Sequence, residues 1–343
     1  MSPQVTTNTV FLGLDIGKSI HAYAAVDAVG DVVDHGKVRT DKRSLRSFVA
    51  KTRKAYQDVV IGVEATSFYH ESVARAFLEA GIVVRVVNPQ LTTTKAIRSS
   101  VRSVKTDASD AVGIAQKLRE KRGRIGYDFC WDAERRALQA LGRSYAHLLW
   151  QRQSLKAHVS VYAERGLRRE YAPRVAALEP EIKRVGSLLI SEAERIYPAE
   201  FRIMLAIRGI AEETAARFLA ETMGTERFRN GHALAGFAGL DPRVKESGTS
   251  IRGKGSMTKT GSPILRQILG WTGMNIVRLN PSFKRRFEYD VARGKPRGVA
   301  YGSIARRLAV VLHTCLSQKV PFDPSLVGAP QGAVALDAPS AAA

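Results

Sequence analysis

The chain has 343 residues, 45% of them hydrophobic, which is too apolar for wholesale disorder and long enough for two or three packed domains. Its formal net charge of +21 points to a polyanionic partner, because Lys and Arg gain by displacing counterions condensed on nucleic acid; an acidic membrane surface is the simpler competitor. No run of about 18 apolar residues is present, which excludes a membrane span.

In chain order, the opening MSPQVTTNTV lacks a basic segment followed by an apolar one, so no secretory signal is expected. VFLGLDI (10–16), HAYAAVD (21–27) and VVDHGKVRT (32–40) read as three short strands joined by tight turns, an antiparallel meander. Asp41-Lys42-Arg43-Ser44 opens a helix to about Tyr56. VVIGVEA (59–65) reads as a buried strand, Tyr69 to Ala80 as a helix stopped by Gly81, and IVVRVVN (82–88) as a further strand. The order β-β-β-α-β-α-β-α is that of a ribonuclease H-like domain, although order alone fits other α/β folds. Cys130 and Cys315 cannot build a disulfide framework and lack metal-ligand spacing, so they read as core filler in a reducing cytoplasm.

From Leu138 the period changes. Leu138, Leu141, Tyr145, Leu148, Leu155, Val159 and Tyr162 fall at spacings of three and four, with Arg152 interrupting one step. Val175, Leu178, Ile182, Val185, Leu189, Ala193 and Ile196 form a second set, with Gly166 and Pro173 between the two. An antiparallel hairpin of coiled-coil type is expected, serving as a dimerisation arm or as an ordinary helix pair. Pro180 marks the start of its second helix or a kink. AIRGIAEETAARFLAE (206–221) then gives a turn and an amphipathic helix, in the style of a helix-hairpin-helix that offers amides to phosphate, or a plain helix pair. Helices are expected at about 262–279 and 300–318, and GAPQGAVALDAPSAAA reads as a disordered tail.

Four carboxylates stand out. Asp15 lies in the first apolar strand and Glu64 near the end of VVIGVEA, places where an acid is costly unless paired or bound to a cation. Asp107 and Asp110, in KTDASDA, share one face of a helix, where like charges repel unless a cation sits between them. In isolation that pair is simply an N-cap and a first-turn acid. In a ribonuclease H-like sheet the first and fourth strands are neighbours and a later helix crosses them, so the four acids would converge. Hard oxygens suit Mg2+ or Mn2+, and two such ions about 3.5–4 Å apart can activate the attacking oxygen and stabilise the leaving oxygen of a phosphodiester. Just before this helix, AIRSSVRSVK offers Arg98, Arg102 and Lys105 to a phosphate backbone, or to solvent.

Residues 243–307 hold fifteen Lys or Arg against three acids, more than half of the net charge in under a fifth of the length. Within them PRVKESGTSIRGKGSMTKTG surrounds Ser247-Gly248 with Arg243, Lys245, Arg252, Lys254 and Lys259, and Arg266 follows. Such a concentration favours a nucleic-acid surface. A free hydroxyl is a weak nucleophile, and a Ser-Gly in a basic loop is by itself a flexible turn. It can attack phosphorus if these Lys and Arg neutralise the phosphate and a metal-bound carboxylate cluster takes the proton or supports the displaced oxygen.

Asp15 in GLDIGKS, Glu64 in VEATSFY, the KTDASDA pair and GLDPRVKESGTSIRGKGSMTKTGSPILRQ together resemble insertion-sequence family one-ten, the transposases with a DEDD acidic quartet related to Piv-type DNA invertases. The resemblance spans roughly residues 10–325. It implies a RuvC-like ribonuclease H-fold domain over 8–128, a coiled-coil hairpin over 129–198, a helical transposase domain over 199–326 and a disordered tail over 327–343. It implies Asp15, Glu64, Asp107 and Asp110 as ligands of Mg2+ or Mn2+, and Ser247 as a nucleophile that links covalently to a DNA end, with Ser250 as the fallback. It further implies donor and target DNA as substrates, a non-coding bridge RNA as guide, dimers and tetramers with the quartet of one subunit facing the serine of another, and a prokaryotic cytoplasm and nucleoid as the setting. The turn AIRGIAEET lacks the family's usual Gly-Ile-Gly, which removes support for a phosphate role of Gly209. Two other readings remain open: a metal-dependent, junction-resolvase-like nuclease using water, and a non-enzymatic nucleic-acid scaffold.

Overall fold

The computed structural model describes residues 8–65, 69–87, 107–129, 131–161, 165–242 and 257–328. They fall into two compact units, Met1–Trp131 and Asp132–Ala343.

The first unit runs β1 (Val10–Asp15), β2 (Ile20–Val26), β3 (Val32–Arg39), α1 (Lys42–Ala55), β4 (Val59–Glu64), α2 (His70–Glu79), β5 (Val84–Val87), α3 (Asp107–Glu120) and β6 (Tyr127–Asp128). The sheet order is β3-β2-β1-β4-β5-β6. β1 to β3 form the antiparallel meander, β4 and β5 run parallel to β1, and β6 closes the edge antiparallel to β5. This is the ribonuclease H-like arrangement that the element order anticipates. Turn chemistry fixes it locally: the Asp27 carboxylate accepts from the amides of Val29, Gly30 and Asp31, and Asp41 caps α1 by accepting from the Ser44 amide at 2.9 Å. Alternation then sorts the strands. Leu12, Leu14, Ile61 and Val63 pack under Phe48 of α1 and Phe77 of α2, while Phe11, Val60 and Val87 meet Ile114 and Leu118 of α3. The sequence pattern gives no sign of β6, whose two residues are too short to carry a period.

The second unit is helical: α4 (Ala133–Val161), α5 (Arg165–Ile196), α6 (Pro198–Leu205), α7 (Glu212–Thr222), α8 (Gly231–Phe237), α9 (Pro263–Leu279), α10 (Pro281–Ala292), α11 (Arg297–Gln318) and a 3-10 turn at Pro324–Val327. α4 and α5 form a hairpin whose ion pairs run in opposite senses, Arg195 with Glu134 at 2.9 Å and Arg152 with Glu179 at 3.1 Å, as antiparallel helices require. Leu138, Tyr145, Ile182, Val185, Leu189 and Ala193 are buried, whereas Leu148, Leu155 and Val175 are half-buried, so the seam is deepest where α7 covers it. Tyr162 of the expected seam lies outside the described residues. One alternative for Pro180, the start of the second helix, is corrected: α5 begins at Arg165. Pro173 and Pro180 both lie inside α5, which neither starts nor breaks at them. Both face solvent, where water can satisfy the carbonyls that a proline leaves unpaired. The core of α6 to α11 centres on Phe201, Met204, Phe218, Leu269, Ile276 and Phe283, each contributing about 1.5–3 kcal/mol by burial. Cys315 is buried there, as core filler should be; Cys130 lies outside the described residues. Gly209, at φ +110°, turns the chain between α6 and α7 with Ile276 3.2 Å from where a Cβ would stand, a close-packing role. Among the described residues no helix is long and apolar enough to cross a membrane.

Candidate active site

β1 and β4 pair in parallel with Leu14 opposite Val63, so Asp15 and Glu64 occupy the next matching positions on adjacent strands about 4.8 Å apart. Alternation puts both on the face that α3 covers, since Phe11 and Gly13 share the side of Asp15, and Val60 and Gly62 that of Glu64. Both acids are half-buried at the carboxyl ends of their strands.

The helix above them is seated by glycine. A Cβ on Gly13 would stand 2.3 Å from the Ala111 carbonyl oxygen and 2.5 Å from the Ala115 nitrogen, so the α3 backbone rests directly on β1. Gly62 gives the same room to Leu118, at 2.5 Å. Ala111 is buried against Ala22 and Ala24, and Ala22 is the partner of Asp15 across β1–β2. Ile114 and Leu118, further along α3, meet Phe11 and Val60 nearer the start of the strands. The first turn of α3, with Asp107 exposed and Asp110 half-buried, is therefore directed toward the Asp15 end of the sheet. Negative charge in that turn also complements the helix dipole. The acids form one pair on the sheet and one on the helix. Among the described residues no three carboxylate, imidazole or thiol groups are gathered closely enough to hold an ion.

Ser247, Ser250, Arg243, Lys245, Arg252 and Lys254 lie outside the described residues, as do Arg98, Arg102 and Lys105. Both roots of the Ser247 segment are described, and they are held tightly together. Pro242 and Met257 form an antiparallel bridge; the Thr258 amide donates to the Asp241 carbonyl at 2.9 Å, Lys259 to Gly239 at 3.1 Å and Ser262 to Phe237 at 2.7 Å. Gly261, at φ +131°, approaches the Phe237 carbonyl so closely that a Cβ would stand 2.2 Å from it. Lys259 is exposed, and Arg266 donates from Nη1 to the Ala238 carbonyl at 3.1 Å. Not all of the local positive charge is free for a ligand. Lys295 and Arg286 hold the buried Asp290 at 2.8 and 3.6 Å, Lys284 lies near Glu288, and Arg306 pairs with Asp241. A count of charges does not reveal this structural share.

A family model described as "DEDD_Tnp_IS110: Transposase" matches residues 12–162, and one described as "Transposase IS116/IS110/IS902 family" matches residues 202–288. The chain is 25% identical to a probable family 20 transposase of Pseudomonas aeruginosa, over 91% of this chain and 98% of that protein. It is 26% identical to the pilin gene-inverting protein of Moraxella lacunata, over 76% of this chain and 81% of that one. Among solved structures, Thermus thermophilus RuvC in complex with a Holliday junction aligns at a TM-score of 0.29 and 15% identity, over 35% of this chain and 99% of that one. Matched by two models of one family that together span well more than half of its length, the chain belongs to the IS110 family of transposases, enzymes of DNA strand transfer.

Proposed function

We propose that this transposase cuts and rejoins DNA through a transient Ser247–DNA link, with Asp15, Glu64, Asp107 and Asp110 holding Mg2+ or Mn2+ beside the reacting phosphate. The observation that carries the reading is the in-register placement of Asp15 and Glu64 at the ends of adjacent strands, on the face that α3 covers, with the acidic first turn of α3 directed toward that end of the sheet. Four hard carboxylates suit a divalent ion in chemistry; bound there, it would supply positive charge to the phosphate oxygens. In the forward step the Ser247 Oγ forms a bond to phosphorus, the bond from phosphorus to one strand oxygen breaks, and the hydroxyl proton ends on that departing oxygen. Rejoining reverses the step with the hydroxyl of a different strand end, and Ser247 regains its proton. Arg243, Lys245, Arg252, Lys254, Lys259 and Arg266 neutralise the phosphate, and Arg98, Arg102 and Lys105 track the backbone before α3. The family resemblance supports a bridge RNA as the guide and dimers or tetramers as the working assembly.

The test is covalent trapping on DNA in Mg2+, read on a denaturing gel. Wild type and Ser250→Ala form the adduct, whereas Ser247→Ala loses it and strand cleavage falls about 10³-fold or more. Asp15→Asn and Glu64→Gln also abolish the adduct. Cleavage that survives Ser247→Ala would assign the attack to water, as in a structure-specific nuclease.

A further inference from the structure

Between α9 and α11 the second unit holds a cavity of about 330 Å³. Leu240, Met257 and Met274 give it apolar walls, and Trp271, Tyr301 and Arg266 stand around it. Trp271 is 63% exposed, an indole left uncovered beside an apolar hollow. Tyr301 is stacked on Phe287 with ring centroids 4.4 Å apart. Gly270 and Gly298 also border it, with open space where a Cβ would stand. Arg266 is fixed by its bond to the Ala238 carbonyl and, among the described residues, pairs with no carboxylate. Met257 is also the residue at which the chain returns from the Ser247 segment, through its bridge to Pro242.

We infer that this cavity receives one unstacked base of a DNA strand that the protein cuts and rejoins; the inference rests on the function proposed above. An unpaired base has an apolar face that demands an aromatic platform, and it carries a phosphate that demands a cation. Trp271 supplies the first and Arg266 the second. The volume lies at the low end of the roughly 300–1,000 Å³ range of small-molecule sites, which suits one ring system and excludes a duplex. A purely apolar peptide would leave Arg266 without a counter-charge, and the excess of Lys and Arg over residues 243–307 would repel a basic one. A strand that is cut and exchanged must be unpaired locally, so an unstacked base is available when it is needed.

The experiment measures binding of the full chain, without divalent ions, to a single-stranded DNA oligonucleotide, the duplex and the RNA of the same sequence. Trp271→Ala is expected to weaken single-stranded DNA binding on the order of tenfold. Trp271→Phe restores it, the duplex affinity is unchanged, and the slope of log K against log salt is unchanged because phosphate contacts remain. A walk of abasic sites finds one position at which base removal weakens wild type as much as Trp271→Ala does and adds nothing to that variant. Thermal unfolding is unaffected, since the indole is exposed. Equal loss on duplex and single strand, no loss, loss on RNA alone, or no such position overturns the proposal. The serine reading stands apart: an adduct without a Trp271 effect sinks only the pocket, and a Trp271 effect without an adduct sinks only the serine.

Discussion

Whether α3 can lie on β1 at all is decided by one absent carbon. At Gly13 any side chain would meet backbone atoms, the Ala111 oxygen at 2.3 Å and the Ala115 nitrogen at 2.5 Å, and backbone cannot rotate away. At Gly62 the obstacle is the Leu118 Cδ1, the tip of a side chain that can choose another rotamer. Gly13→Ala is therefore expected to cost about 1–3 kcal/mol, as overpacking does, and Gly62→Ala less. Urea denaturation of the two variants measures the difference. Gly13→Ala should also lower strand transfer, although it removes no acid, because it lifts the turn carrying Asp107 and Asp110; a fully active Gly13→Ala protein would show that this seating is irrelevant to the site. The acids themselves were legible in the sequence, since a carboxylate inside VFLGLDI or VVIGVEA is conspicuous. Gly13 was not. A glycine within a strand hints at close approach, but its partners, Ala111 and Ala115, lie almost a hundred residues away and belong to no common local pattern.

Between elements, one carboxylate ties three helices of the second unit together. Glu221 of α7 has only 4% of its side chain exposed. Arg143 of α4 donates to both of its oxygens at 3.1 and 3.2 Å, and the Ser262 hydroxyl donates at 2.8 Å. The same hydroxyl accepts from the Leu265 amide and so caps α9. Ser262 directly follows Gly261 at the root of the Ser247 segment, which joins the hairpin and that root through a single side chain. Glu221→Ala should cost about 2–4 kcal/mol, since it strips a buried hydroxyl and a guanidinium of their acceptor. Hydrogen exchange should then speed up most in the first turn of α9; an unchanged exchange pattern would mean that the cap holds without it. Nothing in FLAET signals this role, because an acid at a helix end reads as a surface residue. The hairpin was legible from its apolar period. The start of its second helix is not legible, because the cost of a helical proline depends on whether its orphaned carbonyl meets water, and that requires the packing.

At the scale of the whole molecule, the proposed chemistry is divided between two bodies. All four acids belong to the first unit, and the described roots of the Ser247 segment belong to the second. The sequence order shows this separation without showing whether an acid set works with its own serine or with that of another copy. Mixing two inactive chains decides it. Asp15→Asn keeps the serine and damages the acids, whereas Ser247→Ala does the reverse. If sites are shared between copies, a mixed pair contains one site with intact acids and an intact serine. By random mixing of a two-fold dimer, adduct formation should recover to about a quarter of the wild-type level. The DNA should then be attached only to the Asp15→Asn chain, which a size tag on either partner identifies. Acids and serine acting within one chain would give no recovery at any mixing ratio. Recovery with DNA on the Ser247→Ala chain would mean that another residue is the nucleophile. High salt provides the control, because a chain of net charge +21 should lose DNA steeply as salt rises whichever pairing is correct, and adduct formation must be compared at equal occupancy.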